Sequence, residues 1–300
     1  MTKPDYRASK IQVNGIELNV LLAGPESGSP VLLLHGFPDD HTVWRHQIPA
    51  LAAAGYRVIA PDTRGCGESQ LLPHESDYTI EKLVADQIAL LDKLGLKQVK
   101  LVGHDWGAVQ GWQLVFRHAE RFERYMAMSV GHPWCYRRSG LRQKVRSWYL
   151  FFFQLGPVAR WFFGLGNWTM FCLFLRYSAL KPGIRARYSR PGRFFAGQSY
   201  YAANVKSLLG NGPTPAQVPV IGVFSTRDIA LVERQMTNSA ALCPKGWRYV
   251  RLKGVNHWMQ LHAPEKVTAL MLEFMAWQPN VDVLESASNR VTNETMSQTC

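Results

Sequence analysis

VKLVGHDWGA, residues 99–108, joins an apolar β-type run directly to a helix-type run. The β-type run ends at Gly103, the helical run begins at Trp106, and Gly107 follows at once. A strand that turns into a helix this abruptly is sterically crowded, so small residues are required on both sides of the apex. The apex is Asp105, and the pattern predicts that its side chain projects above the carboxyl ends of a parallel sheet, where open α/β folds bind ligands.

The residue type at this apex restricts the chemistry. In enzymes with the same turn the apex is commonly Ser, whereas this chain has the carboxylate of Asp105. A carboxylate nucleophile attacks alkyl carbon and leaves an ester, which argues against an ordinary esterase. Taken alone, the five residues from Gly103 to Gly107 could also form a loop that has no role in catalysis. The rest of the chain therefore has to distinguish a catalytic turn from such a loop.

Strand and helix patterns alternate on both sides of the turn. Residues 10–22 predict two short strands joined by a hairpin at Asn14-Gly15. Further predicted strands are residues 31–34, 56–60, 99–103, 125–130, 218–224 and 249–252, and predicted helices are residues 42–54, 79–94, 106–118, 232–242 and 263–277. This alternation predicts the α/β class, with a mostly parallel central sheet and helices on both faces.

A helical and aromatic segment interrupts the alternation. We assign residues 1–131 and 218–278 to two parts of one core, 132–217 to an inserted helical cap, and 279–300 to a flexible C-terminal tail. The cap contains 13 Lys and Arg and no Asp or Glu, whereas the rest of the chain holds 21 basic and 22 acidic residues. The net charge of +12 therefore resides in the cap.

Two more residues complete a candidate catalytic set. After Glu123 the next carboxylate is Asp228, directly past the predicted strand 218–224, and Glu233 is the other candidate, inside a predicted helix. His257 follows the last predicted strand on a loop, from which a base can reach Asp105. Nucleophile, acid and His in this order match the triad members of α/β-hydrolases.

The chain resembles the epoxide hydrolase family of α/β-hydrolases over residues 10 to about 278. Four segments carry the resemblance: His35-Gly36-Phe37-Pro38, Arg64-Gly65-Cys66-Gly67-Glu68-Ser69, Gly103-His104-Asp105-Trp106-Gly107 and Asn256-His257-Trp258. The family also uses two cap tyrosines to hold and protonate the epoxide oxygen. The motif of the family's first cap tyrosine is matched by Tyr149-Leu150-Phe151-Phe152-Phe153-Gln154. The motif of the second is matched loosely by Ser199-Tyr200-Tyr201-Ala202, which points to Tyr201 with Tyr200 as the alternative.

The resemblance implies a covalent mechanism without a cofactor or metal. Asp105 attacks a ring carbon, a tyrosine protonates the oxygen, and water activated by His257 hydrolyses the ester to a vicinal diol, with Asp228 orienting the His. Backbone N–H groups of Phe37 and Trp106 are expected to form the oxyanion hole, and the peptide before Pro38 is expected to be cis. The residues expected to bind an aromatic or long-chain apolar epoxide are Phe37, Trp106, Trp148, Phe153 and Trp258.

Two other functions are alternatives. Haloalkane dehalogenases also have Asp at the apex of this turn, and Trp106 could donate its indole N–H to a leaving halide. Many of those enzymes have an Asn as the second halide donor, and this chain has Phe37 at that position. Fluoroacetate dehalogenases have Arg after the nucleophile, where this chain has Trp106. A ligand receptor with little turnover is the third alternative, and the intact triad argues against it.

The cap also suggests a location in the cell. Residues 147–175 hold a single charge, Arg160, but Gly156-Pro157 and Gly164-Leu165-Gly166 interrupt any continuous membrane span. We therefore expect cap helices above the active site, and we hypothesise that the basic residues beside them contact an anionic membrane peripherally.

The N-terminal residues and the cysteines indicate the cellular compartment. Residues 1–5 lack the apolar run of a signal peptide, and the five cysteines at positions 66, 135, 172, 243 and 300 are scattered without metal-ligand spacing. Both features favour a cytoplasmic protein with free thiols. No recognised nucleic-acid module accompanies the charge. The sequence carries no signal for oligomeric state.

Overall fold

A computed structural model describes residues 6–177, 181–205 and 212–277, which include one eight-stranded sheet. The strands are β1 Tyr6–Val13, β2 Ile16–Ala23, β3 Pro30–Leu34, β4 Arg57–Pro61, β5 Val99–His104, β6 Phe122–Met128, β7 Val220–Arg227 and β8 Trp247–Asn256. Their order across the sheet is β1-β2-β4-β3-β5-β6-β7-β8. Strand β2 is antiparallel to β1 and β4. Each neighbouring pair from β4 to β8 is parallel, which confirms the mostly parallel sheet.

Helices surround this sheet. They are α1 Gln47–Ala53, α2 Ile80–Lys93, α3 Trp106–Arg117, α4 Pro133–Arg137, α5 Leu141–Arg146, α6 Trp148–Phe152, α7 Pro157–Leu175, α8 Lys181–Tyr188, α9 Arg193–Ala202, α10 Glu233–Thr237, α11 Met259–His262 and α12 Pro264–Ala276. Helix α1 packs against α12, and α2 packs against α3. Every residue of β5 is buried, as expected of a central parallel strand covered on both faces.

Several predicted elements differ in extent from the observed ones, and two predicted helices are each divided. Instead of one helix over 42–54, a 3₁₀ turn spans His41–Trp44 and α1 begins at Gln47. Pro49 has no N–H to donate to a carbonyl in the preceding turn, which disfavours a continuous helix. The predicted helix over 232–242 is likewise α10 followed by a 3₁₀ turn, and the predicted strand 249–252 is the longer β8.

The turn between β5 and α3 has the expected crowding. Asp105 at its apex has φ 52° and ψ −118°, a backbone conformation that non-glycine residues rarely adopt. A Cβ atom at Gly103 would lie 2.4 Å from the Gly107 carbonyl oxygen, and one at Gly107 would lie 2.1 Å from that of Leu34. A larger residue at Gly103 would therefore force β5 away from α3, and one at Gly107 would force α3 away from β3.

Helices α4 to α9 lie between β6 and β7 in the chain, and all regular structure in the described part of residues 132–217 is helical. Helix α7 is interrupted, because Leu165, Gly166, Asn167 and Trp168 have non-helical backbone angles. The predicted tail, residues 279–300, lies outside the described residues.

Polar contacts hold these helices on the core. Arg187 of α8 forms a largely buried ion pair with Asp40 at 2.5 Å. Arg193 of α9 donates to the Ser69 carbonyl at 2.7 Å, and Asn204 donates to the Tyr78 carbonyl at 2.8 Å. The insertion is thereby fixed directly above the carboxyl ends of the parallel strands.

Candidate active site

Asp105 is presented by the strained turn and is held by the loop after β3. The Phe37 N–H donates to Asp105 Oδ1 at 2.8 Å, and the Phe37–Pro38 peptide is cis. Trp106 is the first residue of α3, so its N–H is among those with no carbonyl partner inside the helix. Of the two amides expected to form the oxyanion hole, that of Phe37 bonds the carboxylate, and that of Trp106 is the first N–H of α3.

His257 lies between Asp105 and Asp228. Its Nε2 is 3.5 Å from Asp105 Oδ2, and its Nδ1 is 2.7 Å from Asp228 Oδ2. The other oxygen of Asp228 accepts N–H bonds from Ala230 at 2.8 Å and Leu231 at 2.9 Å, which fix its orientation. The predicted order of nucleophile, acid and base thus corresponds to a contiguous array, whereas Glu233 bonds the Tyr249 hydroxyl and is not part of it.

The charges of this array stabilise one another. Burial raises the pKa of Asp105, but the hydrogen bond and positive charge of His257 outweigh it and hold that pKa below its usual value. The pKa of Asp228 is also lowered, because attraction to His257 exceeds the cost of burial. Burial lowers the pKa of His257, but the two carboxylates raise it overall, so the resting site holds an imidazolium between two carboxylates.

Ser129 is a member of the site that the sequence did not reveal. Its hydroxyl donates to Asp228 Oδ2 at 2.8 Å and lies 3.0 Å from His257 Nδ1. The residue directly follows β6 and has φ 74°. Its position at the carboxyl end of a parallel strand was the available signal, since such ends converge on the ligand site.

The two candidate tyrosines of the second motif lie in different environments. Tyr201 lines the cavity at Asp105, and its ring centroid is 5.8 Å from that of Tyr149. The Tyr200 hydroxyl instead bonds the Arg64 carbonyl at 2.7 Å and lies 2.9 Å from Thr63 Oγ1. The geometry therefore brings Tyr149 and Tyr201 together at Asp105 and gives Tyr200 a contact within the core.

A cleft of about 490 Å³, including its open mouth, lies in front of Asp105. Its walls are formed by Asp105, Trp106, Val109, Val130, Pro133, Tyr136, Tyr149, Leu150, Tyr201 and Leu231. Burial raises the pKa values of Tyr149 and Tyr201 well above that of free tyrosine, and the charge of Asp105 adds to both shifts. Both phenols are therefore protonated at neutral pH, at the wall of a mostly apolar cleft.

Of the five residues predicted to bind substrate, the structure places Trp106 in the lining of the cleft. Phe37 and Phe153 instead pack behind Tyr201, with ring centroids 5.3 and 4.6 Å from it. Trp148 is 51% exposed, because it precedes Tyr149 on α6 and faces another direction on the helix.

Trp258 is also removed from the cleft, since its indole N–H donates to Asp39 at 2.9 Å. Asp39 is itself a residue that the sequence did not single out. Burial raises the pKa of its carboxyl to about 7, and the negative charges of Asp40 and Asp105 contribute in the same direction. Asp39 is therefore a second titratable carboxyl group within electrostatic range of Asp105.

Asp40, His41 and Asp62 are the described group whose ligand atoms lie close enough together to hold a metal, all within 4.8 Å of one another. Arg187 pairs with Asp40, and His41 Nδ1 lies 2.7 Å from Asp62 Oδ1. Asp62 also accepts N–H bonds from Asn19 and His41. These donors occupy the lone pairs that a cation would need, and they favour a purely structural role for the group.

Comparison with known proteins identifies the family. A family model described as alpha/beta hydrolase fold matches residues 29–264. The chain belongs to the α/β hydrolase family.

Within that family its relatives include epoxide hydrolases. "Epoxide hydrolase A" of Mycobacterium tuberculosis (strain ATCC 25618 / H37Rv) is 32% identical, over 88% of this chain and 96% of the relative. "Epoxide hydrolase 4" of Mus musculus is 28% identical, over 89% of this chain and 78% of its own length. The crystal structure of an epoxide hydrolase from Vigna radiata superposes with a TM-score of 0.77 at 27% identity, covering 92% of this chain and 98% of that one. The predicted fold and the resemblance to epoxide hydrolases are confirmed.

Proposed function

We propose that the protein hydrolyses an apolar epoxide to a vicinal diol through a covalent hydroxyalkyl ester on Asp105. The observation that carries this proposal is the opposition of an ionised carboxylate and two protonated phenols in one cleft. An epoxide needs a nucleophile at carbon and a proton donor at oxygen, and Asp105 with Tyr149 and Tyr201 supplies both. The apolar cleft walls support an apolar substrate.

Ring opening uses the two oxygens of Asp105 differently. Oδ1 is held by the Phe37 amide, which leaves Oδ2 as the attacking atom. Oδ2 forms the bond to a ring carbon, the C–O bond of the ring breaks, and the oxygen takes a proton from Tyr149 or Tyr201. The product is a neutral ester on Asp105 and one phenolate.

Ester formation changes the charge that His257 experiences. In the resting site two carboxylates raise its pKa, and the ester removes the charge of Asp105. The pKa of His257 then falls, so its proton is released and replaces the one that the tyrosine donated. His257 becomes a neutral base at the step that requires one.

Hydrolysis completes the cycle. Neutral His257, oriented by Asp228, removes a proton from water, and the resulting hydroxide attacks the carbonyl carbon of the Asp105 ester. The negative charge develops on Oδ1, where the N–H of Phe37 already lies and that of Trp106 is available. Removing one such donor typically costs about 10²–10³ in rate. The bond between the ester carbonyl carbon and Oδ2 then breaks, and the departing alkoxide takes the proton of the newly formed Asp105 carboxyl group. The diol leaves, Asp105 regains its negative charge, and His257 keeps the proton that it took from water.

Isotope labelling tests the covalent step. A single turnover of styrene oxide with excess enzyme in H₂¹⁸O is expected to place ¹⁸O in the Asp105 carboxylate and none in the diol, read by mass spectrometry of the peptide and the product. Asp105→Asn serves as the control without a nucleophile. Label in the diol alone would indicate direct attack by water and refute the covalent route.

A substrate panel tests the substrate class. Styrene, long-chain aliphatic and short polar epoxides are compared with haloalkanes under the same conditions. We expect diol formation to favour the apolar epoxides. Halide release without diol formation from any epoxide would replace the proposal with a haloalkane dehalogenase, and tight diol binding without turnover would indicate a receptor.

A further inference from the structure

The cap exposes an unusual number of large apolar side chains. Of the 12 large apolar side chains exposed among the described residues, 10 lie between positions 141 and 173. Their exposed fractions are high, with 76% for Leu141, 68% for Phe151 and 66% for Trp161. We call this surface the cap apolar face and define it by Leu141, Val145, Trp148, Phe151, Trp161 and Leu173.

Ring contacts and a shared pocket connect several side chains at this face. Trp148 packs against Phe152 with centroids 5.9 Å apart, and Phe152 packs against Phe162 at 5.4 Å. Trp148 and Leu173 line one surface pocket together, and Leu141 and Val145, four residues apart on α5, share one side of that helix. Large exposed apolar side chains concentrated in one segment of the chain indicate an interaction surface.

Uncompensated cations border the face. Arg142, Lys144 and Arg160 are exposed, and within residues 6–177, 181–205 and 212–277 none of them forms an ion pair. The cap has no acidic residue of its own. A second copy docking cap to cap would oppose like charges, which is costly, whereas an anionic surface complements them.

The helix at this face is suited to lie in an interface and not to cross a bilayer. Pro157–Leu175 is the one helix in the described part of the chain that is long and apolar enough to span, but only 28% of its apolar window is buried. A core helix would be mostly buried. The non-helical residues at 165–168 divide it, and its first segment of eight residues is about 12 Å long, well short of a hydrocarbon core of about 30 Å.

The face also borders the wall of the active-site cleft. Tyr149 lines both the cleft at Asp105 and the surface pocket that contains Trp148, Leu173 and Arg176. A surface that accommodates acyl chains would thus lie one side chain away from the site.

We propose that the cap apolar face binds the interfacial region of an anionic lipid bilayer. The aromatic and aliphatic side chains lie among the outer acyl carbons, and Arg142, Lys144 and Arg160 lie at the level of the lipid phosphates. This binding is independent of turnover, so it is measured without substrate.

Vesicle sedimentation tests the proposal with the full-length protein. Vesicles of equal parts phosphatidylcholine and phosphatidylglycerol are compared with phosphatidylcholine alone, at low and high salt. The apolar variant Phe151→Ser/Trp161→Ser is matched by Tyr6→Ser, which alters an exposed aromatic residue on β1. The charge variant Arg142→Glu/Lys144→Glu is matched by Lys93→Glu/Lys97→Glu, which makes the same charge change on the exposed surface near the end of α2.

The wild type is expected to sediment with the anionic vesicles at low salt and to be released by high salt. Each cation at an anionic surface contributes about fivefold in affinity, so the charge variant should bind at least about 25-fold more weakly. Each apolar truncation should cost about tenfold or more. Both controls should bind like the wild type, and circular dichroism melting checks that all variants fold.

Three results would overturn the proposal. The first is that the wild type stays in the supernatant at low salt, and the second is that the cap variants sediment as well as their controls. The third is that the wild type does not bind vesicles and is a dimer in analytical ultracentrifugation, whereas the apolar variant is a monomer. The last result would assign the face to a second copy of the chain.

Discussion

Replacing Tyr201 with Phe removes a single hydroxyl from the active-site cleft. If this phenol protonates the epoxide oxygen, the rate should fall by about 10²-fold, the lower end of the range for a general acid, because Tyr149 remains. The double variant Tyr149→Phe/Tyr201→Phe should lose about 10⁴-fold. The affected step is alkylation of Asp105, so these losses are expected in the pre-steady-state rate of ester formation.

The neighbouring Tyr200→Phe is the matched control. Its hydroxyl bonds the Arg64 carbonyl and Thr63 within the core, and its loss leaves buried partners unsatisfied at a cost of about 1–3 kcal/mol. We expect a melting temperature lower by roughly 2–4 °C per kcal/mol lost and a nearly unchanged rate. Tyr201→Phe should show the reverse, with a large rate loss and a melting temperature near that of the wild type.

Diol formation from styrene oxide and thermal unfolding followed by circular dichroism measure the two effects separately. Equal rate losses in both single variants would refute the assignment of separate roles. A rate in Tyr149→Phe/Tyr201→Phe close to that of the wild type would refute phenol catalysis altogether.

Three further predictions concern charge. Asp228→Asn is expected to slow ester hydrolysis by about 10⁴-fold while alkylation continues, so that the ester accumulates and is detected by its added mass on Asp105. The pKa of Asp228 is lower in the folded state than in the unfolded state. The ionised Asp228 therefore stabilises the fold fully above a pH of about 4, and this stabilisation is lost as the pH falls further. The difference in melting temperature between the wild type and Asp228→Asn should vanish over the same pH range. Arg187→Met leaves the largely buried Asp40 unpaired and should cost about 3 kcal/mol in urea unfolding, whereas Arg190→Met removes an exposed pair and should cost less than about 1 kcal/mol; equal losses would show that the Arg187 pair does not anchor the cap.

The sequence predicts those parts of the site that are locally constrained. The turn at Asp105 is specified by steric requirements within five residues, so its position could be read directly. Asp228 and His257 follow predicted strands, and the topology of a parallel sheet brings such positions to one edge. Their mutual geometry depends on the register between β6, β7 and β8, which no local pattern specifies.

Other features depend on the rotational phase of short helices. Tyr200 and Tyr201 are adjacent on α9 and point about 100° apart, and only packing against the core decides which of them lines the cleft. The sequence likewise does not specify which side of α6 Trp148 lies on; it is exposed, whereas its neighbour Tyr149 lines the cleft. Ser129 cannot be identified from the sequence, because a single Ser after a strand has no distinctive spacing. Its place in the site depends on its contacts with Asp228 and His257.

The origin of the site residues divides the reaction between two parts of the chain. Asp105, Ser129, Asp228 and His257 all follow strands of the sheet, whereas Tyr149 and the neighbouring Tyr201 belong to the inserted helices. In the proposed mechanism the residues after the strands make and break the ester, and the inserted helices supply the phenols that select an epoxide as the electrophile. On this proposal, a different insertion on the same sheet would change the atom that leaves the substrate carbon, while the residues that hydrolyse the ester would stay the same.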